Sequence, residues 1–385
     1  MVASAGSVPV VSGLIIHEWI EENGGAEKVV AAMVDAFPGA DLLALWEDAP
    51  GAVGTTSVRE SWLSRTRLRH HKALALPAMA PTWRWTVPAR PGYDWFLVSS
   101  HLFAHHARGR GLNRDVAKLV YVHSPARYLW VPELDTRGAS LPVRTAASVL
   151  KPLDRRRAGE ATALAANSAY VRERIATTWG RAAEVIHPPV DITEIQSVAD
   201  WSTVVSADEH RLLDSLPPTF LLGASRMVPY KRLDLVIRAG EVSGLPVVIA
   251  GGGPDEARLR EVAARARVPV TFTGRPSTPL LRALCQRCAA FVFPPIEDFG
   301  IMPVEAMAAG APVVCHRVGG AVESLSVAGI GAAVDAEDDD DLAAGVRSVL
   351  DSGLRVPRQA MQRFSRERFI DEIRDFVTRH TQAPS

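Results

Sequence analysis

Short apolar runs alternate with helix-length stretches along most of the chain. In the second half, Thr219–Ser225, Pro246–Gly251, Val268–Gly274, Ala290–Pro294, Pro312–Arg317 and Gly331–Val334 read as buried strands. Apolar residues at helical spacing predict helices over about Lys231–Ser243, from Pro254, through Cys288, from Pro303 and after Asp341. Strands alternating with helices of this length make a parallel sheet covered on both faces. The first half repeats the theme less regularly. Val8–Ile16 reads as a strand and Gly24–Phe37 as an amphipathic helix; Asp41–Trp46, Trp95–Ser99, Leu119–His123, Thr162–Asn167 and Glu184–Ile186 are further strands. The pattern predicts an α/β protein of two doubly wound Rossmann-like domains. The boundary falls near His187–Asp191, where Pro188-Pro189 stiffens a short linker. From about Gln359 to His380, Phe364, Phe369, Ile373 and Phe376 recur at near-helical spacing. That is more apolar surface than a free tail needs, so this helix is expected to pack on something.

Composition agrees with two packed domains. The chain has 385 residues, 47% hydrophobic and 22% charged, which excludes a disordered or fibrous protein. Lys plus Arg and Asp plus Glu are both 43, so the total charge gives no reason to expect a nucleic-acid partner. Three cysteines cannot build a disulfide framework in a chain this long and point to a reducing compartment. Met1–Val11 has no positive charge before its apolar stretch, so no secretory signal is expected. Ala73–Pro88 is broken by Pro77, Pro81 and Arg84, too much for a membrane helix. These features together predict a cytoplasmic protein.

The most informative segment is Pro294-Pro295-Ile296-Glu297-Asp298-Phe299-Gly300-Ile301-Met302-Pro303-Val304-Glu305. It runs from a strand end through a glycine turn into a helix with proline near its first position, where proline is tolerated. Ligands of open α/β sheets sit at the carboxyl ends of strands. There the free N–H groups of Gly300, Ile301 and Met302 form an anion site reinforced by the helix dipole. Glu297 and Glu305 flank it, and carboxylates repel phosphate but accept hydrogen bonds from hydroxyls. A phosphate site between two hydroxyl acceptors describes a sugar nucleotide; the alternative is that both glutamates belong to a solvated helix face. A second junction, Gly223-Ala224-Ser225-Arg226-Met227-Val228-Pro229-Tyr230-Lys231, places two cations about one turn, either around a diphosphate or as surface decoration. Lysine is scarce here, five residues against 38 arginines, and a compact ammonium suits a phosphate oxygen.

In order and spacing these motifs resemble the family-four retaining glycosyltransferases of the GT-B fold. The likeness lies in Glu297-x7-Glu305 and in Arg226-x4-Lys231. It extends to His17-Glu18-Trp19 with Asn23-Gly24-Gly25-Ala26-Glu27, and to Tyr121-Val122-His123-Ser124-Pro125 of the mannosyltransferase-like branch. Asn167-Ser168-x-Tyr170 and His187-Pro188-Pro189-Val190-Asp191 are similar to its interdomain region. The resemblance implies two domains facing across a cleft: an acceptor-binding domain over 1–188, a sugar-nucleotide domain over 189–363, and a helix over about 364–385 packing back on the first. It also implies that Glu305 holds the ribose, Glu297 the donor sugar, and Arg226 with Lys231 the departing diphosphate. Gly24 and Gly25 would let backbone approach the phosphates or the acceptor, and His123 would contact the donor sugar unless it is a satisfied core histidine. Ser225, Phe299, Gly300, Ile301 and Met302 would line the donor site, with Arg275, after Val270–Gly274, reading the base. No nucleophile presents itself, so a front-face route follows, in which the leaving phosphate takes the acceptor proton. The implied donor is a nucleoside-diphosphate sugar, GDP-mannose favoured, with neither cofactor nor metal. The acceptor would be a glycan, a lipid-linked or a small molecule in polysaccharide or glycolipid synthesis. An epimerase or hydrolase on the same scaffold, or a non-catalytic binding partner, are the competing readings.

Three further motifs do not read as functional sites. Gly251-Gly252-Gly253-Pro254 lacks dinucleotide-binding spacing. Cys285-x-x-Cys288 has no second ligand pair and reads as buried thiols. Asp338-x-Asp340 sits in an acidic run at a helix start, where carboxylates favour the dipole. On the acceptor side, residues 51–130 hold 12 Arg or Lys and three Asp or Glu. Arg65, Arg67, Arg69, His70, His71 and Lys72 form the densest cluster, with Trp62, Trp83 and Trp85 nearby. Residues 59–85 are therefore expected either to touch an anionic membrane at the inner face or to be a merely arginine-rich surface.

Overall fold

A computed structural model describes residues 12–22, 24–54, 57–131 and 141–381, with the backbone alone for 141–147 and 149. Met1–Val11, including the first residues of the expected Val8–Ile16 strand, and Asn23 lie outside the described residues. Two compact units make up the chain: 1–189 together with 369–385, and 190–368.

Unit 1 contains β1 (Gly13–His17), α1 (Gly25–Ala36), β2 (Asp41–Ala44), β3 (Val58–Glu60), α2 (Lys72–Thr86), β4 (Trp95–Ser100), β5 (Ala117–Val122), α3 (Arg127–Trp130), α4 (Leu141–Ala158), β6 (Ala163–Ala166), α5 (Ala169–Trp179) and β7 (Glu184–Val185). Its seven parallel strands run in the order β3-β2-β1-β4-β5-β6-β7. Both faces are buried, as a parallel sheet requires. On β5, Val120 and Val122 join one core, with Phe96 and Trp83, while Leu119 and Tyr121 join the other, with Ile15 and Leu97. The order of the strands reverses between β1 and β4, so the carboxyl ends of these two strands form the crevice of this sheet.

Unit 2 contains α6 (Ile192–Ser197), α7 (Ala207–Ser215), β8 (Leu221–Ala224), α8 (Leu233–Ser243), β9 (Val247–Ala250), α9 (Glu256–Arg265), β10 (Val270–Gly274), α10 (Thr278–Arg287), β11 (Ala290–Phe293), α11 (Ile301–Ala308), β12 (Val313–His316), α12 (Ala321–Ala328), β13 (Gly331–Val334) and α13 (Asp339–Ser352). Its parallel sheet has the order β10-β9-β8-β11-β12-β13, with the switch between β8 and β11. A last helix, α14 (Arg366–Thr381), enters unit 1, where Phe369, Ile373, Phe376 and Val377 are buried in the same core as Ile15 and Tyr121.

Several boundaries differ from the sequence pattern. Residues 358–364 form a 3₁₀ turn, so the closing helix starts at Arg366 instead of Gln359. Strand β3 and helix α2 are additions. No helix among the described residues is long and apolar enough to cross a membrane.

Candidate functional site

The carboxyl ends of β8 and β11 bring the second-half motifs together. After β8, Ser225–Val228 lead into a 3₁₀ turn, Pro229–Lys231, which ends at Arg232 with φ of 50°, the one positive φ among described non-glycine residues. That left-handed residue redirects the chain into α8 and points Lys231 back over the strand ends. Its ammonium forms an ion pair with Glu297 Oε1, 66 residues away, and both side chains are mostly buried. The lysine expected to clamp the diphosphate and the glutamate expected to hold the sugar are thus paired with each other. The ammonium also lies 5.1 Å from the Tyr230 ring centroid, and Arg226 donates to the Tyr230 hydroxyl at 3.3 Å. Tyr230 spaces the two cations of the motif, with Arg226 exposed.

After β11, Gly300 adopts φ of 88° and stands at the N-cap of α11 without a side-chain cap. The N-cap glycine has no side chain to accept from the first N–H groups of that helix, those of Ile301 and Met302, the kind of helix start that suits an anion. Pro303 follows within the first turn and is buried. Glu305 lies one turn further on. Phe299 is only 3% exposed and packs on Phe364 at 5.7 Å, so its ring belongs to the core and its backbone alone remains for a ligand.

Glycines without dinucleotide spacing have a packing role here. Gly251 (φ 140°) and Gly253 (φ 157°) lie against the loop after β8, where a Cβ would come within 1.9 Å of Ser225 O and 2.4 Å of Met227 O. Met227 N donates to Gly252 O at 3.0 Å. A Cβ on Gly252 would touch the exposed Arg275 side chain at 3.2 Å, so Arg275 is laid across this loop towards the same end of the sheet. Gly320 N donates to Glu297 O at 2.8 Å and fixes the turn that carries the glutamate.

In unit 1 the residues expected near a ligand form a different network. His17 ends β1, Ser99 lies in β4 and His123 follows β5. Ser99 Oγ stands 3.1 Å from His17 Nδ1 and 2.8 Å from His123 Nε2. Burial lowers His17 to about 4. Burial, then the neighbouring His17, lowers His123 to about 3. Both rings are neutral hydrogen-bonding groups at physiological pH. Glu18, fully buried, accepts from the N–H groups of Leu102 and Ala104 at 2.9 and 2.7 Å, yet burial still raises it to about 7. A Cβ on Gly24 would fall 1.6 Å from Glu27 Oε2, so this glycine makes room for the chain's own carboxylate; Gly25 is exposed.

Among the described residues, one set of donor atoms is close enough to share a cation: His105, His106 and Asp154. The set reads as a structural hub. His105 and His106 bring Nε2 to 3.0 and 2.9 Å of Asp154 Oδ1, while the indoles of Trp130 and Trp179 both donate to Oδ2 at 2.8 Å. The buried Lys118 ammonium donates to His105 O at 2.8 Å, a charge that disfavours a cation beside it. Sequence patterning missed this hub because the partners of Asp154 lie at least 24 residues from it, on separate elements. Cys285 and Cys288 are buried free thiols, and Asp338 caps α13 by accepting from Asp340 N and Asp341 N.

The family model of the group 1 glycosyl transferases matches residues 209–368, inside unit 2. Over that stretch unit 2 is similar to a group 1 glycosyltransferase domain. The matched stretch holds Arg226, Lys231, Glu297, Gly300 and Glu305. The chain is 33% identical over 198 residues to the GDP-mannose-dependent alpha-(1-6)-phosphatidylinositol monomannoside mannosyltransferase of Mycobacterium tuberculosis, covering 48% of this chain and 51% of that one. It is 32% identical over 180 residues to the D-inositol 3-phosphate glycosyltransferase of Mycolicibacterium smegmatis, covering 44% of this chain and 40% of that one. The chain spans about half the length of the first of these curated relatives. In structure it is similar to Anabaena HepE in complex with UDP (TM-score 0.67, 17% identity, 96% of this chain and 100% of that one). It is also similar to the sucrose-phosphate synthase of Thermosynechococcus elongatus (TM-score 0.69, 16% identity, 96% and 98%). These likenesses show the fold, two Rossmann-like domains of the GT-B class.

Proposed function

We propose that the protein is a retaining glycosyltransferase of family four that moves a hexose, mannose favoured, from a nucleoside-diphosphate sugar to a hydroxyl of a glycan, lipid-linked or small-molecule acceptor. One observation carries this reading: two cations, two carboxylates and an uncapped helix N-terminus share the carboxyl ends of β8 and β11, the strands at the switch of the glycosyltransferase domain. The name of the mycobacterial relative supports GDP-mannose as donor, and HepE's bound UDP makes a uridine donor the natural competitor.

In this reading the diphosphate lies against the N–H groups of Ile301 and Met302 and draws Lys231 and Arg226 to its oxygens. The phosphate competes with Glu297 for the lysine, and the released carboxylate accepts from donor-sugar hydroxyls while Glu305 accepts from the ribose. Transfer breaks the bond from the anomeric carbon to the phosphate oxygen and forms the bond to the acceptor oxygen on the same face. The acceptor proton passes to the departing phosphate, and the cations stabilise the charge that develops there, commonly a large share of catalysis. In the same reading Arg275 would read the base, and His123, a neutral ring, would be the contact of unit 1 with the donor sugar. No step calls on a metal or cofactor.

The test offers GDP-mannose, UDP-glucose and related donors with and without acceptors and follows free nucleoside diphosphate. Release that depends on acceptor, unchanged by EDTA, is expected. Equal release without acceptor would assign a hydrolase, and binding without release a non-catalytic partner.

A further inference from the structure

Helix α2 is apolar on both sides. Inward, Ala75, Met79, Ala80 and Trp83 are buried in the unit 1 core. Outward, Leu74 is 69% and Trp85 70% exposed, with the exposed Pro77 and Pro81 between them. Spacings of three, four and four residues put these four on one stripe, about 16 Å long at 1.5 Å per residue. No charged residue interrupts α2 between Lys72 and Arg84. Trp62, 56% exposed, is pinned beside the stripe by a hydrogen bond from its indole to Thr82 Oγ1 at 3.1 Å. At the far end, the Arg110 guanidinium lies 5.1 Å from the Trp85 ring and donates to Trp85 O at 3.1 Å, and the 65% exposed Leu112 donates its N–H to Ala89 O at 3.3 Å, just beyond the helix.

The sequence around this face is net basic, with 12 Arg or Lys against three Asp or Glu over 51–130. Several basic residues of the region are already paired: Arg59 with Asp41, Arg69 with Asp48, Lys72 with Glu21, and Arg84 with Glu160. The sequence cluster at 65–72 is therefore half neutralised. Arg65 and Arg67 before α2, and Arg90, Arg108 and Arg114 after it, are exposed and have no acidic partner among the described residues. Large exposed apolar patches on soluble domains mark interaction sites. An occupant of this one must accept two indoles and two leucines in an apolar layer, satisfy indole N–H groups at its edge, and present negative charge around them. A bilayer interface with anionic headgroups meets all three conditions.

We propose that unit 1 docks on the surface of an anionic lipid bilayer, with the outward face of α2, Trp62 and Leu112 seated among the headgroups and the unpaired arginines around them. The proposal is independent of sugar transfer, because binding is read without donor or acceptor.

The experiment sediments the full chain with vesicles of phosphatidylcholine alone, and with vesicles of equal parts phosphatidylcholine and phosphatidylglycerol. Binding to the mixed vesicles only is expected, with quenching of tryptophan fluorescence by lipids brominated on their acyl chains. A Leu74→Ser, Trp85→Ser double variant, whose changes are at exposed positions and whose fold is checked by circular dichroism, is expected to bind at least tenfold more weakly and to lose most of the quenching. An Arg65→Gln, Arg67→Gln, Arg90→Gln variant is expected to weaken binding at low salt. Three results would overturn the proposal: no binding to mixed vesicles, binding by the double variant equal to wild type, or binding abolished by salt with no quenching at any ionic strength. A dimer seen by light scattering that the double variant abolishes, without lipid binding, would assign the face to a second copy of the chain and also overturn it.

Discussion

The Lys231–Glu297 pair gives two residues a shared fate. Lys231→Ala removes the cation that meets the diphosphate and is expected to lower kcat/KM on the order of 100-fold, the usual loss when one preorganised electrostatic group is removed. Glu297→Gln keeps the shape, frees the lysine and is expected to weaken selection of the donor sugar more than binding of the free nucleoside diphosphate. Steady-state kinetics beside nucleotide titration distinguish the two, and a fully active Lys231→Ala would remove the clamp. In unit 1, proton linkage sets a pH dependence. His17 and His106, ordinarily near 6.5, are lowered to about 4 by burial, and the neighbouring His105 adds to the shift at His106. The unfolded chain therefore binds protons that the folded chain refuses between about 6.5 and 4, and this stability is present above 6.5 and lost as the pH falls. Glu18 runs the other way: burial raises it from 4.5 to about 7, so its contribution is complete below 4.5 and lost as the pH rises to 7. Each group changes stability by at most about 1.4 kcal/mol per pH unit in its window. Urea midpoints are expected to fall from pH 6.5 to 4.5, and to fall more steeply in Glu18→Gln, which lacks the opposing carboxyl. An unchanged slope in that variant would disprove the compensation.

Between elements, close backbone approach decides the donor end of unit 2. Gly251→Ala would put a methyl within 1.9 Å of Ser225 O at a φ of 140°, so the loop carrying Arg226 must move. A loss above about 2 kcal/mol is expected, from left-handed strain plus the clash, together with weaker nucleotide binding; thermal melts with and without nucleoside diphosphate check both. The strands and most helices of unit 2 were legible because uninterrupted runs such as Phe291-Val292-Phe293 can only be buried in a parallel sheet. So was the gathering of Arg226, Lys231, Glu297 and Gly300, since strand ends beside a switch point collect whatever follows them. The Lys231–Glu297 contact was not, because sequence order carries no register between two loops. Nor was α2: Pro77 and Pro81 mask its helical period, and apolar residues on both sides leave no amphipathic signal to read. The short edge strand β3 is too brief to show alternation. The Asp154 hub was invisible for a different reason: Asp154 lies on α4, while its partners come from the turn after β4, from α3 and from α5.

At the scale of the molecule, charge and connectivity divide differently. Net charge is zero overall, yet residues 1–190 hold 22 basic and 17 acidic side chains against 21 and 26 in residues 191–385. In the proposed reading the β8–β11 end of unit 2 would hold an anion through local groups in spite of that balance, whereas the excess in unit 1 is concentrated over residues 51–130, which include α2. Helix α14 completes unit 1: Phe369 meets the Tyr121 ring at 5.6 Å, and Arg374 donates to Ala36 O at 3.0 Å. Each of the four buried apolar side chains of α14 contributes about 2 kcal/mol by area, a total comparable with the whole margin of a typical domain. Ending the chain after Arg368 is expected to abolish hydrogen-exchange protection in β1, β4 and β5 while β8 and β11 stay protected; protection retained in β1 would show that unit 1 stands without the helix. The same connectivity has a consequence during synthesis. Residues 190–368 are contiguous and can fold as soon as they clear the ribosome, but the sheet made first must wait for the segment from Phe369 onward to close its core. Until then the unit translated earliest is the one left unfinished, and it is the one a chaperone would be expected to hold.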